Sequence, residues 1–252
     1  MDDATLATEL VRDAGLLAKR MLAEGLRTDY KTSISDVVSA ADHAAEELIT
    51  ARLSVERPTD GLIGEEGARR PGDDRRWVVD PVDGTYNFLN GMPYWCSAVG
   101  LSDSDGPLVG AVYYPAVDEL WVGGEGLPTS RNGVPVPPLA ERALGTVAVC
   151  TYAHPAHLSD GARQRCWQAV VARAATVRMM GSASIDLASV AGGRLGLFLQ
   201  ADLNDWDWLP GAALVRAAGG TAVTVHAGGH RWHVAGNTQA VAEASTALIE
   251  AG

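Results

Sequence analysis

The hydrophobic pattern divides the chain into a helical start, a meander of strands and an alternating second half. Residues 4–26 set Leu6, Leu10, Leu16, Leu17 and Leu26 among alanines and charges, a helical spacing that ends near Gly25. Residues 31–36 are polar and read as a loop. Ser39-Ala40-Ala41-Asp42 opens a second helix with Ala45, Leu48, Ile49 and Leu53 on one face, which ends before Pro58. Residues 61–66 form a short strand ending in two carboxylates. Residues 67–76 are rich in Gly, Pro and Arg and predict an exposed loop with solvated arginines. Trp77-Val78-Val79 is a buried strand expected to stop at Asp80, because Pro81 cannot donate a ladder hydrogen bond. A short helix over 86–91 follows.

From Tyr94 the period changes. Residues 96–101, 108–114 and 119–122 read as strands joined by Ser104-Asp105-Gly106 and Pro115-Ala116-Val117-Asp118. Residues 123–138 are dense in Gly and Pro with little periodicity, so a boundary between two intimate halves, 1–140 and 141–252, is placed near 138–144. The second half alternates. Strands are expected at 146–151, 176–180, 197–200, 221–225 and 232–235, and helices at 159–174, 184–191, 207–218 and 238–250. The fold class is α/β, with an α+β first half and an α/β second half.

Composition narrows the function. With 252 residues, 47% of them hydrophobic, the chain can bury a proper core. No apolar run reaches the roughly 18 residues of a membrane helix. The net charge of −11, without a basic cluster, argues against a nucleic-acid partner. Cys96, Cys150 and Cys166 are odd in number and widely spaced, as expected of buried thiols in a reducing cytoplasm. The acidic start, Met1-Asp2-Asp3, lacks a signal-peptide pattern, and the expected location is the cytoplasm.

The chemistry gathers at element ends. Glu65 and Asp80 end strands, Asp83-Gly84-Thr85 starts a helix, and Asp207 in Asp205-Trp206-Asp207-Trp208 starts another. Hard oxygen ligands suit Mg²⁺ or Mn²⁺, and four converging carboxylates would repel strongly without cations. Asp-Pro-x-Asp-Gly also reads as a common surface turn, and Asp42 as a helix-dipole residue. His226, His230 and His233 offer a weak zinc alternative, or simply flank a hairpin. Ala191–Gly196 follows a helix and precedes a strand, so it is no dinucleotide fingerprint.

Taken together, Gly64-Glu65-Glu66, Asp80-Pro81-Val82-Asp83-Gly84-Thr85-Tyr86-Asn87-Phe88, Gly181-Ser182-Ala183 and Trp206-Asp207 through Gly219-Gly220 resemble the inositol monophosphatase family over residues 5–250. The resemblance implies a layered αβαβα sugar-phosphatase fold and a Mg²⁺-dependent, lithium-sensitive phosphate monoesterase, often a homodimer, holding two to three Mg²⁺. By position, Glu65, Asp80 and the Val82 carbonyl would hold one ion and Asp80, Asp83 and Asp207 a second, with Glu65 helping a weaker third. Thr85, paired with Asp42, would orient and deprotonate the attacking water. Backbone at Gly84-Thr85 would cradle the phosphate, Lys31 would lie near the site on its loop, and Gly181, Ser182, Ala183 and Gln200 would face the alcohol. Inositol 1-phosphate is the first substrate expected. Histidinol phosphate, fructose 1,6-bisphosphate and 3′-phosphoadenosine 5′-phosphate are alternatives, and a non-catalytic metal- or phosphate-binding relative is a further one.

The sequence departs from the family away from the ligands. Gln200 stands where many relatives carry Glu, keeping an acceptor but adding a donor and losing the charge. Trp208 and Leu209 replace small residues and are expected to reshape the pocket wall, with Pro210 tolerated in a first helical turn.

Overall fold

The computed structural model describes the backbone of residues 1–25, 28–30 and 37–252, and side chains for these except 28–30, 37 and 38. Two helices open the chain, α1 (Asp3–Glu24) and α2 (Ala40–Glu56), with the short antiparallel pair β1 (Thr28–Tyr30) and β2 (Val37–Ser39) between them. Then come β3 (Gly61–Gly64), β4 (Arg69–Arg70), β5 (Arg76–Asp83), α3 (Thr85–Leu89), β6 (Cys96–Ser102), β7 (Pro107–Tyr114), β8 (Glu119–Gly124), β9 (Leu127–Arg131) and β10 (Val134–Pro135). The second half runs β11 (Ala148–Thr151), α4 (Gly161–Val171), β12 (Thr176–Arg178), α5 (Ala183–Ala191), β13 (Leu197–Ala201), α6 (Asp205–Ala217), β14 (Thr221–Ala227), β15 (His230–Gly236) and α7 (Thr238–Ala251).

Strands β3 to β10 make one sheet in the order β10-β9-β8-β7-β6-β5-β3-β4. The second sheet has the order β12-β11-β13-β15-β14. Strand alternation sorts the side chains into layers. On β6, Val99 and Leu101 face Leu6, Leu10, Ile49 and Leu53 of α1 and α2, while Cys96 and Ala98 face the other way, onto α5 and α6. On β13, Phe198 joins that same inner layer, while Leu197 and Leu199 pack toward α4 and α7. The layers are therefore α1/α2, first sheet, α5/α6, second sheet, α4/α7. Residues from both sequence halves meet in the middle, where Val112 and Trp121 share a core with Cys150, Leu187 and Ala235.

Several boundaries differ from expectation. Strand β5 does not stop at Asp80. It runs to Asp83 through a register shift against β6. The shift absorbs Pro81, and the Pro81 carbonyl takes the Ser97 hydroxyl at 2.6 Å. Residues 123–138 are not irregular, since β8 extends to Gly124 and β9 and β10 continue the meander. The arginines of 69–76 are not simply solvated. Arg75 pairs with Asp3 at 2.7 Å, Arg76 with Asp205 at 2.7 Å, and Arg70 donates to the Asp60 carbonyl at 2.9 Å. Helix α6 begins at Asp205, so Pro210 lies inside it rather than in its first turn. Pro210 seats on the bare backbone of the first sheet: a methyl at Gly110 would lie 2.0 Å from the Pro210 carbonyl oxygen. The three cysteines are free and buried, as expected.

Candidate active site

The site is built where β5, α3, α5, β13 and α6 meet. Trp77, Val78 and Val79 anchor β5 with no exposure, so the acidic end of the strand is fixed by the core behind it. Asp80, Asp83 and Asp207 each present an oxygen within 4.8 Å of the others, and among the described residues this is the grouping of potential metal ligands that converges so closely. Asp80 is raised well above the ordinary carboxylate range by burial first, then by Glu65, Asp83 and Asp207. Burial and Asp83 push Asp207 up to about 7. Burial also raises Asp83, against hydrogen bonds that pull it down. One oxygen of Asp80, Oδ1, is buried without a hydrogen-bond partner. A buried orphan acceptor among mutually repelling carboxylates is a fit to a hard cation.

Asp83 does more than face that cluster. It does not cap the helix that follows, because α3 is entered through Gly84, in left-handed backbone at φ 96°. Asp83 instead accepts from Ser182 Oγ at 3.0 Å, Ser184 N at 2.6 Å and Ala183 N at 3.3 Å, all at the start of α5. One carboxylate thus ties the ligand cluster to the helix that carries Ser182 and Ala183. Asn87 adds a second tie, donating to Tyr94 O and Met180 O at 2.8 Å each.

Behind the cluster, Thr85 Oγ1 lies 3.2 Å from Asp42 Oδ1 and 3.0 Å from the Val82 carbonyl. Asp42 completes a capping box with Ser39, accepting the Ser39 backbone N–H at 3.0 Å and, more closely, its hydroxyl. Burial is the main cause that lifts Asp42 to about 6; the Ser39 hydroxyl opposes it and Glu66 adds to it. Both readings of Asp42 therefore meet in one side chain, a helix cap and a partner for Thr85.

Glu65, Asp80, Val82, Asp83, Gly84 and Thr85 line a cavity of about 260 Å³. Gly181, Ser182, Ala183, Gln200 and Asp207 close its other sides. Lys31 falls outside the described residues. Trp208 does not form the wall expected of it. It is 7% exposed and packs in the core against Phe198 and against His233, 4.9 Å away. Leu203 lines the cavity on that side instead. The three histidines do not gather on a metal: His230 bridges Asp202 at 2.7 Å and Asp160 at 2.9 Å, and His233 is buried.

Two residues escaped the sequence reading. Buried Glu46 on α2 accepts the backbone N–H of Glu66 at 2.9 Å and of Ala68 at 2.8 Å, which holds the turn after Glu65. Asp186 on α5 also lines the cavity and takes the Tyr94 hydroxyl at 2.7 Å. Burial, chiefly, pushes Asp186 up to about 8. Each sits on or beside an apolar helix face, and that was the available signal.

The model of the inositol monophosphatase family matches residues 2–251. The chain belongs to this family. Membership of the inositol monophosphatase family places it among the phosphoric monoester hydrolases. An inositol-1-monophosphatase of Rhizobium meliloti is 40% identical over 201 residues, covering 77% of this chain and 74% of the relative. A fructose-1,6-bisphosphatase/inositol-1-monophosphatase of Aquifex aeolicus is 30% identical, covering 87% and 86%. Among solved structures, the extragenic suppressor protein suhB of Bartonella henselae superposes with a TM-score of 0.86 at 29% identity, covering 97% of each chain.

Proposed function

We propose that this inositol monophosphatase family member hydrolyses a small phosphate monoester with the help of Mg²⁺, inositol 1-phosphate being the first candidate. The observation that carries the reading is the convergence of Asp80, Asp83 and Asp207 beside the Thr85–Asp42 pair. Asp80, Asp83, Asp207, Glu65 and the Val82 carbonyl would hold two to three Mg²⁺, with Mn²⁺ a substitute. Bound cations screen the phosphate dianion, acidify water and stabilise the leaving oxygen. The Thr85 hydroxyl has one hydrogen and two acceptors in reach. Donated to Asp42 Oδ1, that hydrogen passes to the carboxylate as Thr85 Oγ1 takes a proton from the attacking water, so Thr85 ends as it began and Asp42 holds the proton. Water oxygen bonds to phosphorus as the bond from phosphorus to the alcohol oxygen breaks, a proton from solvent water converts the leaving alkoxide to the alcohol, and the products are inorganic phosphate and that alcohol. No side chain caps α3 among the described residues, which supports Gly84–Thr85 as the phosphate cradle. Gly181, Ser182, Ala183 and Gln200 would face the alcohol.

No helix among the described residues is long and apolar enough to cross a membrane; a cytoplasmic homodimer is our proposal from the family resemblance. Phosphate release with Mg²⁺ from inositol 1-phosphate, histidinol phosphate, fructose 1,6-bisphosphate and 3′-phosphoadenosine 5′-phosphate tests the reading, with Asp83→Asn as control. Mg²⁺-dependent turnover that is lost in the variant is expected. A folded, metal-loaded protein inert toward all four would favour a binding role.

A further inference from the structure

The cavity has one wall that the hydrolytic machinery leaves unused. Tyr86, the second residue of α3, and Tyr152, just past β11, both line it. Both are large rings left open, 50% and 40% exposed, in a chain that buries most of its aromatic surface. Among the described residues neither phenol oxygen is tied to another side chain. The Tyr152 phenol is raised by partial burial and then by the charge of Tyr86. Tyr152 follows the last paired position of β11, Thr151 opposite Leu199 of β13, and so falls beside Gln200. Gln200 lines the same cavity and brings an amide with both a donor and an acceptor, but no charge. Aromatic faces contribute most when they cover another flat surface, and two half-exposed rings at a cavity mouth are a ready-made surface of that kind.

We propose that Tyr86 and Tyr152 form an aromatic clasp selecting phosphate monoesters whose alcohol carries a ring with one face able to stack, with the Gln200 amide hydrogen-bonding to that ring's edge. The inference rests on the phosphatase reading for its placement of the phosphate at Gly84–Thr85, and it adds what lies at the other end. The ring can be a heteroaromatic base or the C–H face of a cyclitol, since both cover a tyrosine.

The test compares kcat/KM with Mg²⁺ for adenosine 2′-monophosphate, inositol 1-phosphate and acyclic glycerol 2-phosphate. In the Tyr86→Ala/Tyr152→Ala variant, the ratio of ring ester to acyclic ester is expected to fall about tenfold or more. The Tyr86→Phe/Tyr152→Phe variant keeps both rings and is expected to keep the ratio. Loss with adenosine 2′-monophosphate alone identifies a heteroaromatic partner, and loss with inositol 1-phosphate a cyclitol. Binding of the two ring esters, measured by calorimetry in a Thr85→Ala background, separates the clasp from the chemistry. Tyrosine-dependent binding without turnover in the parent protein would sustain the clasp and remove the hydrolytic reading. Turnover with an unchanged ratio, equal loss on all three esters, or no binding of either ring ester would overturn the clasp.

Discussion

Thr85 Oγ1 stands 3.2 Å from Asp42 Oδ1, joining the first residue of α3 to the capping box of α2. Asp42 can take a proton only when ionised, and burial lifts it to about 6. Activity is therefore expected to rise with pH through about 6, because the base is protonated below that point. Asp42→Asn should lower kcat by about 10²–10⁴ and erase this limb. Ser39→Ala removes a hydrogen bond that favours the ionised form, so it should move the limb to higher pH and cost about 1 kcal/mol of stability as a lost cap. The pH profile of kcat/KM decides it. A limb that persists unchanged in Asp42→Asn would assign the titration elsewhere.

Glu46 predicts an effect on metal binding from a residue outside the Asp80–Asp83–Asp207 cluster. Its carboxylate satisfies two backbone donors in the turn that presents Glu65. Glu46→Gln keeps one acceptor, whereas Glu46→Ala leaves both donors unmatched. The expected order of Mg²⁺ affinity, read from activation curves, is parent, Gln, Ala, with the last about 10–100-fold weaker, as for other outer partners of metal ligands. Equal affinities in all three would leave Glu46 a purely structural residue.

The ligands were legible because they sit at breaks in the hydrophobic pattern. Asp80 and Asp83 follow the apolar run 77–79, and the structure does place their oxygens with that of Asp207. What the pattern does not carry is direction. Nothing local says that the Asp83 carboxylate turns across to Ser182 and Ser184 of α5, one hundred residues on, instead of capping its own helix. Trp208 was misplaced for the same reason. Its neighbours Phe198 and His233 come from the second sheet, and only their packing shows that it points into the core. The strands over 123–138 were hidden because an edge meander dense in Gly and Pro has little hydrophobic alternation.

Gly110 fixes where Asp207 can be. Helix α6 carries Asp207, and its Pro210 carbonyl lies against the Gly110 backbone with no room for a methyl group. Gly110→Ala must push α6 off the first sheet. A loss of about 1–3 kcal/mol in stability is expected from the overpacking. Activity should fall further than stability alone explains, with Mg²⁺ activation weakened, because the ligand moves with its helix. Thermal melts beside Mg²⁺ titrations separate the two effects, and a destabilised protein with unaltered Mg²⁺ activation would contradict the coupling.

Chelation should invert the usual response of the protein to pH. Asp80 and Asp83 are raised, Asp207 to about 7 and Asp186 to about 8, all chiefly by burial. A carboxyl raised in the fold above its unfolded value near 4 contributes most to stability at low pH. That contribution is lost as pH rises through the folded value. With chelator present, Tm is therefore expected to fall from pH 5 to pH 8. Asp186→Asn should flatten part of that slope, since Asn still accepts from Tyr94 but cannot ionise. Mg²⁺ should raise Tm more at pH 8 than at pH 5, where protons compete for the same oxygens. An equal Mg²⁺ shift at both pH values would mean that the buried aspartates are not the ligands.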